Sequence, residues 1–183
     1  MSINAMVAGA EQKLGLVTKA SMYKGQWGFI SGEDASGEVY ITPVTTSGQA
    51  SMGTNRLMPI QYVAPTIDDE YTYTLDTTAI PSGTRVIAYT YGAVIEDDYI
   101  YTRYGASYFT GASNGDLMYL NASGFIAAWP AGAVMPSTGI ATWGTVPVAQ
   151  FVKLNGTNVV YRIINTTSGY ANGTMTFNTT AIA

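Results

Sequence analysis

The chain contains no cysteine and no histidine. The first absence excludes disulfides and thiolate nucleophiles; the second removes imidazole bases, and together they remove the usual zinc and iron ligands. Charge is scarce as well: charged residues are 11% of the 183, less than half the share of about 25% in ordinary globular domains. Eight basic residues against twelve acidic ones give a net charge of −4. Lys13, Lys19, Lys24, Arg56, Arg85, Arg103, Lys153 and Arg162 form no run, so no track for a phosphate backbone is expected and nucleic acid is not expected as a partner. No apolar stretch approaches transmembrane length, and Met1 to Ala10 lacks both a basic start and a long apolar run. Neither a membrane partner nor a signal peptide is therefore expected. Helical periodicity is missing too, since the best candidate, Ala5 to Leu16, is interrupted by Gly9 and Gly15.

What is present is β-forming. Ser113 to Trp129 reads as a tight hairpin: a turn at Asn114-Gly115, a strand over Leu117 to Leu120, a loop at Asn121 to Gly124 and a returning strand over Phe125 to Ala128. Asp116 is expected in the turn. Further strands are expected at Tyr23 to Ile30, Glu38 to Val44 (Pro43 marking an edge or an end), Arg56 to Val63 and Tyr71 to Leu75. Thr84 to Ile95 is the longest β-rich run, with an acidic turn at Glu96-Asp97-Asp98 and a return over Tyr99 to Tyr104. Pro147 to Leu154 and Asn158 to Ile164 flank the turn Asn155-Gly156-Thr157, and Thr174 to Asn178 reads as a short last strand. The segments Thr45 to Asn55 and Pro130 to Gly144 read as loops.

The class is mainly β, with a β-barrel or β-sandwich body over residues 21–183 and an extended N-terminal arm over residues 1–20, a plain frayed terminus being the other reading of those twenty residues. Ser36-Gly-Glu-Val-Tyr-Ile and Asn114-Gly-Asp-Leu-Met-Tyr-Leu both enter a strand after a glycine and an acid. Two small subdomains dividing near 105–113 are one way to read that echo, and the ordinary entry of a turn into a strand is the other.

Candidate chemistry is thin. Asp68-Asp69-Glu70 and Glu96-Asp97-Asp98 are the only acidic clusters; carboxylates suit Ca²⁺ or a glycosidic bond, but both clusters fall where turns are required. No metal or other cofactor is expected. No spacing marks a nucleophile elbow, a phosphate loop or an acid–base pair, so an enzyme is not expected. The N-x-[ST] triplets at Asn121, Asn155, Asn165, Asn172 and Asn178 read as chance matches in a chain rich in Asn and Thr. Fourteen tyrosines and three tryptophans exceed what one core needs, and surplus aromatics suit protein interfaces or carbohydrate platforms.

The segment Gly115-Asp-Leu-Met-Tyr-Leu-Asn-Ala-Ser-Gly-Phe-Ile-Ala-Ala, with the loop that follows it and Val146-Pro-Val-Ala-Gln-Phe-Val-Lys-Leu, resembles the small β-barrel head decoration, or cement, proteins of tailed bacteriophages. The resemblance covers roughly residues 113–164, and Phe125 stands where a polar residue is common in that family. It implies a non-enzymatic virion protein, assembled in the host cytoplasm. Such a protein lies on the outer capsid surface, often as a homotrimer, and clamps neighbouring major capsid protein subunits. On that reading the contact residues are expected in the arm, at Leu14, Leu16 and Val17, and close behind it at Tyr23 and Trp27. The alternative from another class is a receptor- or glycan-binding module of a tail or fibre, with Tyr99, Tyr101 and Tyr104 as a stacking surface.

Overall fold

The computed structural model describes residues 4–5, 12–54, 56–62, 79–97, 109, 111–128 and 144–164. The expectation of a mainly β chain holds. Five strands close a barrel: β2 (Gln12–Thr18), β3 (Trp27–Glu33), β4 (Val39–Pro43), β5 (Leu57–Tyr62) and β6 (Arg85–Tyr89), in the cyclic order β2-β4-β3-β5-β6. β2 runs parallel to β4, and the other barrel pairs are antiparallel. A six-stranded antiparallel sheet packs outside the barrel in the order β1-β7-β11-β10-β8-β9. Its strands are β1 (Asn4–Ala5), β7 (Val94–Asp97), β8 (Leu117–Leu120), β9 (Ile126–Ala128), β10 (Ala149–Asn155) and β11 (Asn158–Ile163).

Two apolar clusters follow from alternation along these strands. Leu16, Ile41, Met58, Ile60, Val86 and Ala88 fill the barrel, with Met22 and Ile80 joined across it by a pair of main-chain hydrogen bonds. Gly28 lets this filling close. A Cβ there would stand 2.6 Å from the Thr42 carbonyl oxygen and 2.9 Å from Met22 and Ile41, so any larger residue forces two strands apart. The second cluster is shared. Trp27, Val44, Leu57 and Tyr89 on the outside of the barrel meet Ile95, Met118, Phe151 and Tyr161 from the sheet, and Phe109 is buried among them. On β11, Val159, Tyr161 and Ile163 enter this core while Arg162 stays exposed; Val160, on the other face, is buried as well but outside this cluster.

The predicted hairpin at 113–129 is β8 and β9, paired Met118↔Ala128 to Leu120↔Ile126. Its loop joins the two layers. Asn121 Oδ1 accepts from the Ser123 and Phe125 N–H groups at 2.9 and 3.0 Å and so shapes the turn. The loop then meets the start of β3: Trp27 donates its N–H to the Gly124 carbonyl at 2.8 Å, and Gln26 Nε2 donates to the Ser123 carbonyl at 2.8 Å.

Three expectations need correction. Thr84 to Ile95 is not one strand: a turn at Thr90–Gly92 carries the chain from β6 in the barrel to β7 in the sheet. Glu96 and Asp97 are the end of β7 rather than a turn, and Asp97 is fully buried. Thr45 to Asn55 holds a short helix, α1 (Ser47–Ala50), whose N-cap Thr46 accepts from the Gln49 N–H while Gln49 Oε1 accepts from the Thr45 N–H. The Thr46-x-x-Gln49 spacing is a capping signal visible in the sequence.

The first twenty residues also differ from a free arm where they are described. Gln12–Thr18 is a barrel strand, paired with β6 and β4. Asn4 and Ala5 pair with Glu96 and Ile95, and Gln12 and Lys13 pair with Tyr89 and Ala88. Both described parts of the N-terminal segment thus lie in sheets, Asn4 and Ala5 beside β7 and Gln12–Thr18 beside β6. Burial is the physical reason. Leu16 and Val17 remove apolar area from water within the chain itself, which an arm in solvent would leave exposed.

Candidate contact surface

The residues expected to make contact separate on inspection. Leu16, Val17 and Trp27 are buried in the chain's own core, and Tyr23 is half-buried with its ring 6.4 Å from that of Phe125. Leu14 lies in β2, where only the backbone is described. Tyr99, Tyr101 and Tyr104 lie outside the described residues, as do the cluster Asp68-Asp69-Glu70 and the strands expected at 71–75 and 174–178. Of the neighbouring tyrosines, Tyr89 is in the core and Tyr91 stands 59% exposed on the turn between barrel and sheet.

A different surface comes together at the end of the barrel. β3 pairs with β5 only over Trp27 to Phe29 but with β4 as far as Glu33, so residues 30–39 project as a two-stranded hairpin beyond the barrel wall. A register shift between Ile30 and Gly32 bends this projection. At its base lies an open cleft of about 340 Å³, lined by Phe29, Ile30, Met52, Arg56 and Met58. Ile30 is 45% exposed on the rim. Arg56 is exposed there too, and makes no ion pair among the described residues.

The hairpin tip is rigidly built. Asp34 Oδ1 accepts from Ser36 Oγ at 2.7 Å and from the Ser36 and Glu38 N–H groups at 2.9 and 3.0 Å, while Asp34 Oδ2 accepts from the Tyr40 hydroxyl at 3.0 Å. These donors, the Ser36 hydroxyl foremost, lower the Asp34 carboxyl to about 2. The same contact raises the Tyr40 phenol, through its hydrogen bond to Asp34 and the carboxylate's charge. Glu38 pairs with Arg85 of β6 and ties the hairpin base to the barrel. The tip is an ionised turn that holds its own shape.

In β7, Glu96 accepts from Asn158 Nδ2 at 2.8 Å and Asn155 Nδ2 at 2.9 Å. These two contacts, Asn158 first, lower its carboxyl. Between the layers, Trp27 and Tyr161 pack with ring centroids 6.5 Å apart, and among the described residues neither Trp27 Nε1 nor the Tyr161 hydroxyl has a partner in full hydrogen-bond geometry. Burial, with the Asp97 charge nearby, holds the Tyr161 phenol well above its ordinary range.

Sequence reasoning missed the barrel-end surface because Tyr23 to Ile30 reads as one strand ending at Ile30, whereas β3 begins at Trp27 and runs on to Glu33. The alternation Phe29, Ile30 gives no sign of which residue a neighbouring strand leaves uncovered. The usable signal was the Asp34-x-Ser36 turn, which marks a hairpin tip. Compared with protein-family models, with curated proteins and with solved structures, the chain finds no match in any of the three.

Proposed function

We propose that this chain is a structural virion protein that binds the outer surface of a phage capsid and bridges neighbouring major capsid protein subunits, as its hairpin resemblance implies. The observation that carries the reading is the barrel end: an exposed Ile30 on a stiff projecting hairpin beside an apolar cleft, in a chain with few charges. Contact cores of this kind are apolar and poor in charge, with neutral polar groups around them. Ile30 alone would be ordinary, but with the apolar lining of the cleft it forms a continuous patch of the kind that suits an interaction site. Contact is thus proposed at Phe29, Ile30 and Met52 in place of the buried Leu16, Val17 and Trp27.

Co-sedimentation with capsids of the parent virus tests this. The wild-type chain is expected to pellet at a saturable ratio, and Ile30→Asp to remain in the supernatant while keeping its circular dichroism spectrum and melting temperature. Tyr91→Asp, on the turn between β6 and β7 and outside the cleft lining, is expected to pellet like the wild type. Loss of binding in Tyr91→Asp with retention in Ile30→Asp would move the contact to the other surface. A wild-type chain that ignores capsids but holds host polysaccharide, with weaker binding in Tyr91→Asp, would favour the second reading, a receptor- or glycan-binding module of a tail or fibre, for which the exposed Tyr91 is the supporting observation. The homotrimer implied by the resemblance belongs to the proposal, and the mass in solution, free and released from capsids, tests it.

A further inference from the structure

Two Asn-Gly pairs fall among the described residues, Asn114-Gly115 and Asn155-Gly156, and all four residues are exposed. As sequence they are equivalent: a glycine after asparagine leaves its amide nitrogen sterically free to attack the preceding side-chain carbonyl. The fold makes them different. Gly115 donates its N–H to the Phe151 carbonyl at 2.8 Å. Gly156 lies at the tip of the turn between β10 and β11, with φ of 63° and open space around its Cα. Its N–H meets no acceptor among the described residues.

We infer that Asn155 is a site of spontaneous modification, where the fold directs intramolecular deamidation and from which it shields Asn114. The Gly156 amide nitrogen loses its proton and bonds to Asn155 Cγ. The side-chain nitrogen leaves as ammonia and a five-membered imide remains. Water then adds to either imide carbonyl and opens the ring, giving aspartate at one carbonyl and isoaspartate at the other. Water is the sole co-reactant and no electrons are transferred. Removal of the amide proton is the same event that hydrogen exchange reads, so an N–H committed to a structural hydrogen bond reacts only when that bond opens.

The product changes a specific contact. Asn155 donates to Glu96, which is also the register partner of Asn4 in the edge strand β1. Conversion replaces a donor by a carboxylate that repels Glu96. The modification therefore marks the age of the molecule at the edge of the sheet where the N-terminal segment is attached.

The test is incubation of the full-length chain at mildly alkaline pH, natively and in urea, followed by peptide mass spectrometry. In urea the two sites are expected to convert at similar rates. In the native state Asn155 is expected to convert at least about tenfold faster than Asn114, the protection a hydrogen-bonded amide gains when its opening is unfavourable by more than about 1.4 kcal/mol. Asn155→Asp, which mimics one product, is expected to raise the Glu96 carboxyl midpoint measured by NMR. Native conversion at Asn114 as fast as at Asn155, or no native conversion at Asn155, would overturn the inference.

Discussion

Gly28 and Asp34 show how single residues set the candidate surface. Gly28 has ordinary backbone angles for a strand, and its demand is for space: replacing it with alanine drives a Cβ against the Thr42 carbonyl and Met22. Gly28→Ala is expected to lower stability by about 1–3 kcal/mol, the range for overpacking a filled core, read as a fall in the urea midpoint. Asp34 acts through protonation. Its folded carboxyl is depressed from 3.8 to about 2, so its contribution is complete above the unfolded value and is lost as pH falls through the folded one. An NMR titration is expected to place the wild-type midpoint near 2, and Ser36→Ala to move it upward toward 3.8. The turn at Asp34 was marked in the sequence by the Asp34-x-Ser36 spacing between two β-forming runs. The need for glycine at position 28 was not, because the residues it spares, Met22, Ile41 and Thr42, are brought to it by strand pairing.

Elements were legible where turn chemistry and alternation agree. The hairpins β8–β9 and β10–β11 stand within a few residues of where Asn121 to Gly124 and Asn155 to Thr157 place them. Thr84 to Ile95 misled because β-branched and aromatic residues continue through the turn at Tyr91-Gly92, and only the change of neighbouring strands separates β6 from β7. Gln12–Thr18 misled for the opposite reason. Gly15 hides a strand whose stability comes from partners on β4 and β6 rather than from local preference. Truncation separates the two views. Deleting residues 1–11 is expected to leave a folded barrel that melts cooperatively. Deleting residues 1–20 removes a closing strand and opens unpaired edges on β4 and β6, so it is expected to abolish cooperative melting by circular dichroism. Thr46→Ala is expected to cost about 1 kcal/mol by removing the cap of α1.

At the scale of the whole molecule, the barrel and the sheet are bound by one core. Trp27 and Tyr161 meet across it, and the loop of β8–β9 is bonded to the start of β3. Tyr161 reports on that joint. Its phenol is raised in the folded state, so its contribution is fully present below the ordinary tyrosine value of about 10 and is lost as pH rises above it. Ultraviolet titration is expected to show the Tyr161 phenol ionising only with unfolding, so that Tyr161→Phe lowers the amplitude of the late step by one phenol. The same joint sets the position of the projecting hairpin, which is what the proposed clamp across subunits requires. Electron cryomicroscopy of capsids saturated with the chain tests that claim most directly. The account predicts ordered density with the barrel end, Ile30 foremost, seated over the junction between major capsid protein subunits. Capsids that emerge bare, or that carry the chain with Ile30 turned to solvent, would contradict it.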